Sequence, residues 1–112
     1  MIDNITTHDM NNIHAYCSRV SELSCRKESN DFEIDRCLEE MSELAKELLK
    51  DRRYGINGDL TRKERVLSEL GDVILTLHHI QTVYEFLDSD IIKATRMSID
   101  RLIEEQTDDN KD

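Results

Sequence analysis

The sequence contains no proline and no tryptophan, and it has only three glycines, two phenylalanines and three tyrosines among its 112 residues. Proline and glycine are the strongest helix breakers. Their scarcity, together with many Leu, Glu, Lys and Arg residues, predicts an all-α chain. The shortage of large aromatic side chains leaves little material for a core. We therefore expect an isolated monomer to be marginally stable and burial against a second copy to stabilise it.

Long apolar runs are also missing, since no stretch approaches the roughly 20 residues of a membrane-spanning helix. No targeting segment is recognisable at the N-terminus. The chain has 25 acidic and 15 basic residues, for a net charge of -10. This excess of negative charge disfavours duplex nucleic acid and anionic membranes as partners.

The cysteines lack the close spacing of a metal site. They are three in number, Cys17, Cys25 and Cys37. An odd number of cysteines is typical of reduced thiols, which indicates a cytoplasmic protein. Cys17 and Cys37 fall on apolar stripes and are expected to be small core residues.

The spacing of apolar residues predicts one helical domain over residues 10–106, after a flexible lead-in at 1–9 and before a disordered acidic tail at 107–112. Four helices are expected at about 10–25, 32–53, 61–87 and 90–106. Short connections favour an antiparallel four-helix bundle. Asn30 with Glu33, and Thr61 with Glu64, have the spacing of capping boxes, and a turn is expected at Gly55, Asn57 and Gly58.

Each predicted helix has an apolar face that is expected to point inward. On helix two it comprises Ile34, Cys37, Leu38, Met41, Leu44, Ala45 and Leu48; on helix three Val66, Leu70, Val73, Ile74, Leu77, Ile80 and Tyr84; and on helix four Ile91, Ile92, Thr95, Ile99, Leu102 and Ile103.

Two acidic motifs lie on helices two and three, Glu39-Glu40-Met41-Ser42-Glu43 and Glu69-Leu70-Gly71-Asp72. Glu40 and Glu43, like Glu69 and Asp72, are three residues apart and share a helix face. Two such pairs can surround one or two hard metal ions. The alternative is that these carboxylates are ordinary solvated groups, because on a helical wheel most of them lie away from the apolar faces.

Three details favour the metal site. Both motifs lie at similar distances from the turn, roughly 14 Å and roughly 12 Å along their helices, so they should be level. Glu39 and Glu43 repel each other as a like-charged i,i+4 pair unless something offsets the repulsion. Gly71 weakens its helix by about 1 kcal/mol relative to Ala, which close approach of another backbone or a ligand would explain.

Together the motifs resemble those of the MazG-like, all-α nucleoside triphosphate pyrophosphohydrolases. The first continues as Leu44-Ala45-Lys46, and the second reads Leu67-Ser68-Glu69-Leu70-Gly71-Asp72-Val73-Ile74. The similarity extends over about residues 34–101. It implies hydrolysis of a nucleoside triphosphate between the α and β phosphates, giving a monophosphate and pyrophosphate, as in cleaning of the nucleotide pool.

The resemblance also implies the site. Glu40, Glu43, Glu69 and Asp72 would bind Mg²⁺, with Mn²⁺ as a substitute, while Glu39 and Glu40 would serve as catalytic residues, Glu39 positioning the attacking water or acting from the outer shell. Relatives are usually homodimers or dimers of dimers with the site near the subunit interface. That arrangement suits carboxylates that face away from the apolar stripe.

Cations on helix four, Lys93, Arg96 and Arg101, correspond loosely to residues that contact phosphates in this family. A solvated face paired with Asp100 or Glu104 is an equal alternative. His78 and His79 are interpreted as surface or partly buried structural residues, although His79 lies on the Asp72 side of its helix.

Other functions remain open at this point. The resemblance also covers enzymes selective for dUTP or dCTP, and phosphoribosyl-ATP pyrophosphohydrolases, which differ in the base pocket. A non-catalytic helical oligomer that regulates or binds another protein is the competing class. All five motif acids are present, which disfavours a degenerate relative.

Overall fold

Four helices and no strand occupy the part of the chain that the computed structural model describes, residues 12–54 and 60–109. They are α1 (Ile13–Lys27), α2 (Asn30–Tyr54), α3 (Leu60–Val83) and α4 (Asp88–Asp109). The all-α prediction is therefore confirmed. The lead-in at 1–9, the turn glycines Gly55 and Gly58, and residues 110–112 of the tail lie outside the described residues.

Capping explains where α1 and α2 begin. The Asn12 side chain accepts a hydrogen bond from the Ala15 backbone N–H at 3.2 Å and caps α1. At α2 the cap is Ser29, whose hydroxyl accepts from the Phe32 N–H at 3.1 Å. The predicted Asn30–Glu33 capping box is wrong, because Glu33 is fully buried and binds α1 instead.

The predicted extent of α3 is also wrong, since the helix ends at Val83 rather than near Leu87. The Glu85 N–H bonds to the Thr82 carbonyl and the Phe86 N–H to the Gln81 carbonyl, both at helix-terminating spacing. Glu85 adopts φ 57°, the left-handed conformation in which glycine is usual. With a glutamate at that position, the sequence gives no sign of the stop.

Helix α4, in contrast, ends later than predicted. The helix continues to Asp109, three residues past the predicted end at Gln106, and Thr107 donates to the Ile103 carbonyl at 2.9 Å. The first part of the predicted disordered tail is therefore helical.

The predicted cap of α3 is wrong. Thr61 lies inside α3 rather than capping it, since that helix begins at Leu60.

Helix α3 is central, because it packs along both α2 and α1. The buried apolar residues are few, namely Cys17 of α1, Cys37 of α2 and Val73 of α3. The two cysteines are free thiols, as predicted for small core residues. Burial raises the pKa of the Cys17 thiol.

The inner face of α2 is rotated from the predicted one by roughly 80° about the helix axis, so the prediction is correct for Ile34, Cys37 and Leu44 and wrong for the rest. Leu38, Met41 and Leu48 are 54%, 41% and 48% exposed. Six buried or half-buried positions follow helical spacing along the side toward α3, namely Glu33, Cys37, Glu40, Leu44, Glu47 and Asp51; Ile34 and Glu43 are half-buried beside them. Cys37 and Leu44 therefore belong to both the predicted and the observed inner face, and the observed one also carries the carboxylates of Glu33, Glu40, Glu47 and Asp51.

The inward orientation predicted for α4 is wrong within this chain. Every described side chain from Asp88 to Thr107 is exposed, including all six residues of its apolar face. No helix packs along α4 in the described residues. The radius of gyration is 17.4 Å, against about 13 Å for a compact domain of this length. The amphipathic pattern of α4 is real, but residues 12–54 and 60–87 offer it no partner surface.

On α3 the predicted apolar face is only partly buried. Val73 is inside, whereas Leu70, Ile74, Leu77 and Tyr84 are exposed. Large apolar areas on three helices are therefore open to solvent, more than a monomeric protein ordinarily leaves exposed. None of the described helices is long and apolar enough to cross a membrane.

Candidate metal centre

Three carboxylates meet where α2 packs against α3. Glu40 comes from α2, and Glu69 with Asp72 comes from successive turns of α3. One oxygen from each lies within 4.8 Å of the others. The i,i+3 spacing of Glu69 and Asp72 places both on the side of α3 that faces Glu40, so the two predicted motifs are level.

Negative charge in this group is poorly compensated. Glu69 Oε2 is shielded from solvent and has no hydrogen-bond partner among the described residues. Burial, followed by the charges of Asp72, Glu69 and Glu39, raises the pKa of Glu40 above its usual value, and only Arg36 acts in the opposite direction. A buried anionic oxygen without a donor destabilises the protein, and a bound cation would remove the penalty.

The donor set fits magnesium. Carboxylate oxygens are the protein ligands Mg²⁺ prefers, and the ion usually keeps several waters beside one or two carboxylates. Bonds of about 2.1 Å allow at most about 4.2 Å between opposite ligands, so the three side chains would draw slightly closer around an ion. The partial exposure of Glu40 and the exposure of Asp72 leave room for water and substrate.

The remaining predicted acids do not join this group. Glu43 forms an ion pair with Lys46 on its own helix, at 3.3 Å. Glu39 is exposed and acts on Glu40 only through its charge. Three of the four predicted metal ligands are thus together, and the fourth lies one turn along α2.

The predicted phosphate contacts, Lys93, Arg96 and Arg101, are exposed on α4. Arg101 donates to the Ser98 hydroxyl at 3.3 Å. Because no helix packs along α4 in the described residues, the chain does not by itself hold these cations over the carboxylates.

Gly71 has no steric role in the described structure. A Cβ built on it would meet nothing within 4 Å. The interpretation of close backbone approach is therefore wrong within one chain, since Gly71 faces open space beside Glu69 and Asp72.

A buried polar pair that the sequence did not indicate lies about two helical turns from the carboxylates. His79 of α3 is 1% exposed and its Nδ1 is 2.9 Å from Glu33 Oε2 of α2. Ser24 of α1 donates to Glu33 Oε1 at 2.7 Å, which joins all three packed helices. The interpretation of His79 as a structural residue is supported, and it is fully rather than partly buried.

His78 has a different environment. Its Nδ1 donates to the Ile74 carbonyl at 2.9 Å, and its Nε2 is 3.1 Å from His14 Nδ1 of α1. His14 also lies 3.2 Å from Asp88, the first residue of α4. Hydrogen bonding to Gln81 and His14 lowers the pKa of Asp88. These contacts fix the start of α4 against α1 and α3.

Acid should destabilise the fold through His79. Burial lowers its pKa below the ordinary value of 6.5, against the opposing charge of Glu33. The unfolded chain therefore takes up the proton first. Neutral His79 therefore contributes to the free energy of unfolding, and this contribution is fully present above about pH 6.5. It is lost as the pH falls toward the pKa of His79 in the folded protein, at no more than about 1.4 kcal/mol per pH unit.

Urea unfolding followed by far-UV circular dichroism, at about pH 7.5 and about pH 5.5, measures this loss. We expect the free energy of unfolding to fall with acidification in the wild type and in His78→Gln, and to fall less in His79→Gln. An equal change in the wild type and in His79→Gln over this interval would contradict the assignment.

Comparison of the chain with family models, with curated proteins and with solved structures finds no match.

Proposed function

We propose that this protein is a Mg²⁺-dependent nucleoside triphosphate pyrophosphohydrolase of the MazG-like kind. The observation that carries the proposal is the meeting of Glu40, Glu69 and Asp72, with oxygens within 4.8 Å of one another and one buried oxygen of Glu69 lacking a partner. The two acidic motifs that resemble this family supply these three residues. Their contact across α2 and α3 supports a shared role.

Glu40, Glu69 and Asp72 would hold the ion, and Glu43 would join them if it left Lys46. Bound magnesium neutralises charge on the phosphates and lowers the pKa of the attacking water. Mn²⁺ would substitute, since it accepts similar oxygen ligands. Glu39 neighbours Glu40 in the sequence and would orient the attacking water from outside the ligand group, while Glu40 would act through the ion that it holds.

The active form is an oligomer, either a homodimer or a dimer of dimers. Exposed apolar faces on α2, α3 and α4 support this, because a second copy would bury them. Within it the helices form an antiparallel bundle that α4 completes, in its own subunit or in the neighbour. Lys93, Arg96 and Arg101 then reach the phosphates. The protein acts in the cytoplasm, which suits its free thiols.

Two narrower activities belong to the same proposal: selectivity for dUTP or dCTP, and hydrolysis of phosphoribosyl-ATP. A non-catalytic helical oligomer is a second candidate, and the exposed apolar faces favour it as much as they favour the enzyme. A non-catalytic oligomer does not explain why three carboxylates lie so close together.

One assay separates these functions. The folded protein is incubated with Mg²⁺ and each common ribo- and deoxynucleoside triphosphate, and with phosphoribosyl-ATP, and the products are identified by phosphorus NMR. We expect equal amounts of monophosphate and pyrophosphate from at least one substrate, and none after chelation of the metal. Release of inorganic phosphate with a diphosphate would contradict cleavage between α and β. No product from any substrate would favour the non-catalytic oligomer.

A further inference from the structure

The candidate metal centre has too little positive charge for a nucleotide. Three carboxylates already exceed the charge of one divalent ion, and a triphosphate adds more negative charge. Polyphosphate sites normally combine metal ions with Lys or Arg side chains. The cations on α4 are not held near the carboxylates by the described chain, so another cation should lie close by.

Arg36 is the side chain on α2 that meets this requirement. It precedes Glu40 by four residues, which places it about 6 Å along the helix axis and roughly 40° around it. Its side chain is exposed. Its charge acts on Glu40 of α2 and also on His79 of α3. Arg36 therefore lies one turn from Glu40, close enough to both helices for its charge to act on a side chain of each.

Arg36 is also available for a ligand. Within the described ranges no hydrogen bond or ion pair engages its guanidinium. The lysines that follow Glu40 on α2 are already engaged in ion pairs. Lys46 pairs with Glu43 at 3.3 Å, and Lys50 pairs with Glu47 at 3.4 Å. A ligand that bound Arg36 would not first have to break an ion pair.

We propose that Arg36 is a substrate-binding residue that contacts the polyphosphate of a nucleotide held at Glu40, Glu69 and Asp72. The inference rests on the proposed function. A guanidinium offers two parallel N–H donors that match two phosphate oxygens, which a lysine cannot reproduce. Arg36 belongs to the same helix as Glu40, so the helix fixes the backbone positions of the two residues relative to each other.

Removing the positive charge of Arg36 should weaken binding of the triphosphate and strengthen binding of Mg²⁺. In Arg36→Gln, KM for the triphosphate should rise about ten- to a hundredfold, because a charge-assisted contact is lost. Affinity for Mg²⁺ alone should increase about two- to fivefold, because a neighbouring cation no longer repels the ion. Arg36→Lys should keep metal affinity near the wild-type value and recover only part of the loss in KM.

The experiment measures KM and kcat on the best triphosphate, and separately titrates Mg²⁺ by calorimetry without nucleotide. The proteins are the wild type, Arg36→Gln, Arg36→Lys and the control Lys63→Gln, which removes an exposed cation of α3. We expect the opposed changes only in Arg36→Gln, with its helical content unchanged by circular dichroism.

An unchanged KM in Arg36→Gln would overturn the assignment and leave the proposed hydrolase intact. Weaker Mg²⁺ binding in that variant would also overturn it, because it would show that Arg36 supports the carboxylates rather than the substrate. If the wild type hydrolyses no triphosphate, the proposed function fails first and the assignment fails with it.

Discussion

Asp72→Asn and Glu40→Gln should each lower kcat at least about a hundredfold, with little change in helical content. Each substitution removes one of the three oxygen donors that approach within 4.8 Å of one another. A neutral amide is a weaker ligand for a hard cation than a carboxylate. The loss should therefore appear as weaker metal binding and slower chemistry together.

When a chelator has removed the metal, Asp72→Asn and Glu40→Gln should each have a higher free energy of unfolding than the wild type. The neighbours Asp72, Glu69 and Glu39 all raise the pKa of Glu40, so its ionised form is disfavoured in the fold. Glu40→Gln mimics the protonated side chain, and its free energy of unfolding in chelator should be higher than that of the wild type. Activity lost while stability is gained identifies a functional group rather than a structural one.

Two controls delimit the first prediction. Glu64→Gln removes an exposed acid from α3 outside the group and should leave kcat unchanged. Glu43→Gln should have a smaller effect than Glu40→Gln, since Glu43 is engaged with Lys46. Full activity in Asp72→Asn would contradict the site. So would loss of fold in that variant, which would make these acids structural.

The second large effect concerns assembly. Ile99 and Ile103 lie one turn apart on the apolar face of α4 and are 50% and 55% exposed. Placing Lys at both positions would put charge into any interface formed by that face. We expect the wild type to sediment as a dimer or tetramer at micromolar concentration. The double variant should sediment as a chain of 13.1 kDa.

Ala94→Lys with Met97→Lys is the matched control, because it adds the same charge to the opposite side of α4. That variant should keep the wild-type mass. A wild type that sediments as a monomer would show that the apolar faces serve another partner. An unchanged mass in Ile99→Lys with Ile103→Lys would show that α4 lies outside the interface.

The sequence predicted the helices better than their surroundings. Helical periodicity located α1, α2, α3 and α4, since backbone hydrogen bonding is local. Glu85 ended α3 early because tertiary context placed a glutamate in a left-handed turn, which no local preference indicates. Residues 55–59, where the predicted turn falls, lie between the described ranges.

Burial was harder to predict, and α2 shows why. Its apolar stripe was assigned to the core on the assumption that one chain buries its own apolar residues. In the described structure Leu38 and Met41 are exposed, whereas Glu33 and Glu40 face α3. When part of the burial has to come from another molecule, hydrophobicity identifies a face but not what covers it.

The carboxylate group was partly predictable. Similar distances from the turn predicted that Glu43 and Glu69 are level, because helix geometry is regular. In the structure the residue of α2 that meets Glu69 and Asp72 is Glu40, about one turn earlier on the helix. The pairing of Glu43 with Lys46 was not indicated, since it depends on side-chain rotamers. Arg36 was missed because it stands outside both motifs, and the burial of Glu33 with His79 was missed because both residue types are usually exposed or partly exposed.

Titration of metal-free protein with Mn²⁺, followed by electron paramagnetic resonance, tests the central claim most directly. Bound Mn²⁺ loses its solution spectrum, so the free ion can be counted without any substrate. We predict saturable binding to the wild type, competition by Mg²⁺, and loss of the site in Glu69→Gln and in Asp72→Asn, but not in Glu64→Gln. Equal binding by all four proteins, or none by the wild type, would contradict a metal centre at Glu40, Glu69 and Asp72.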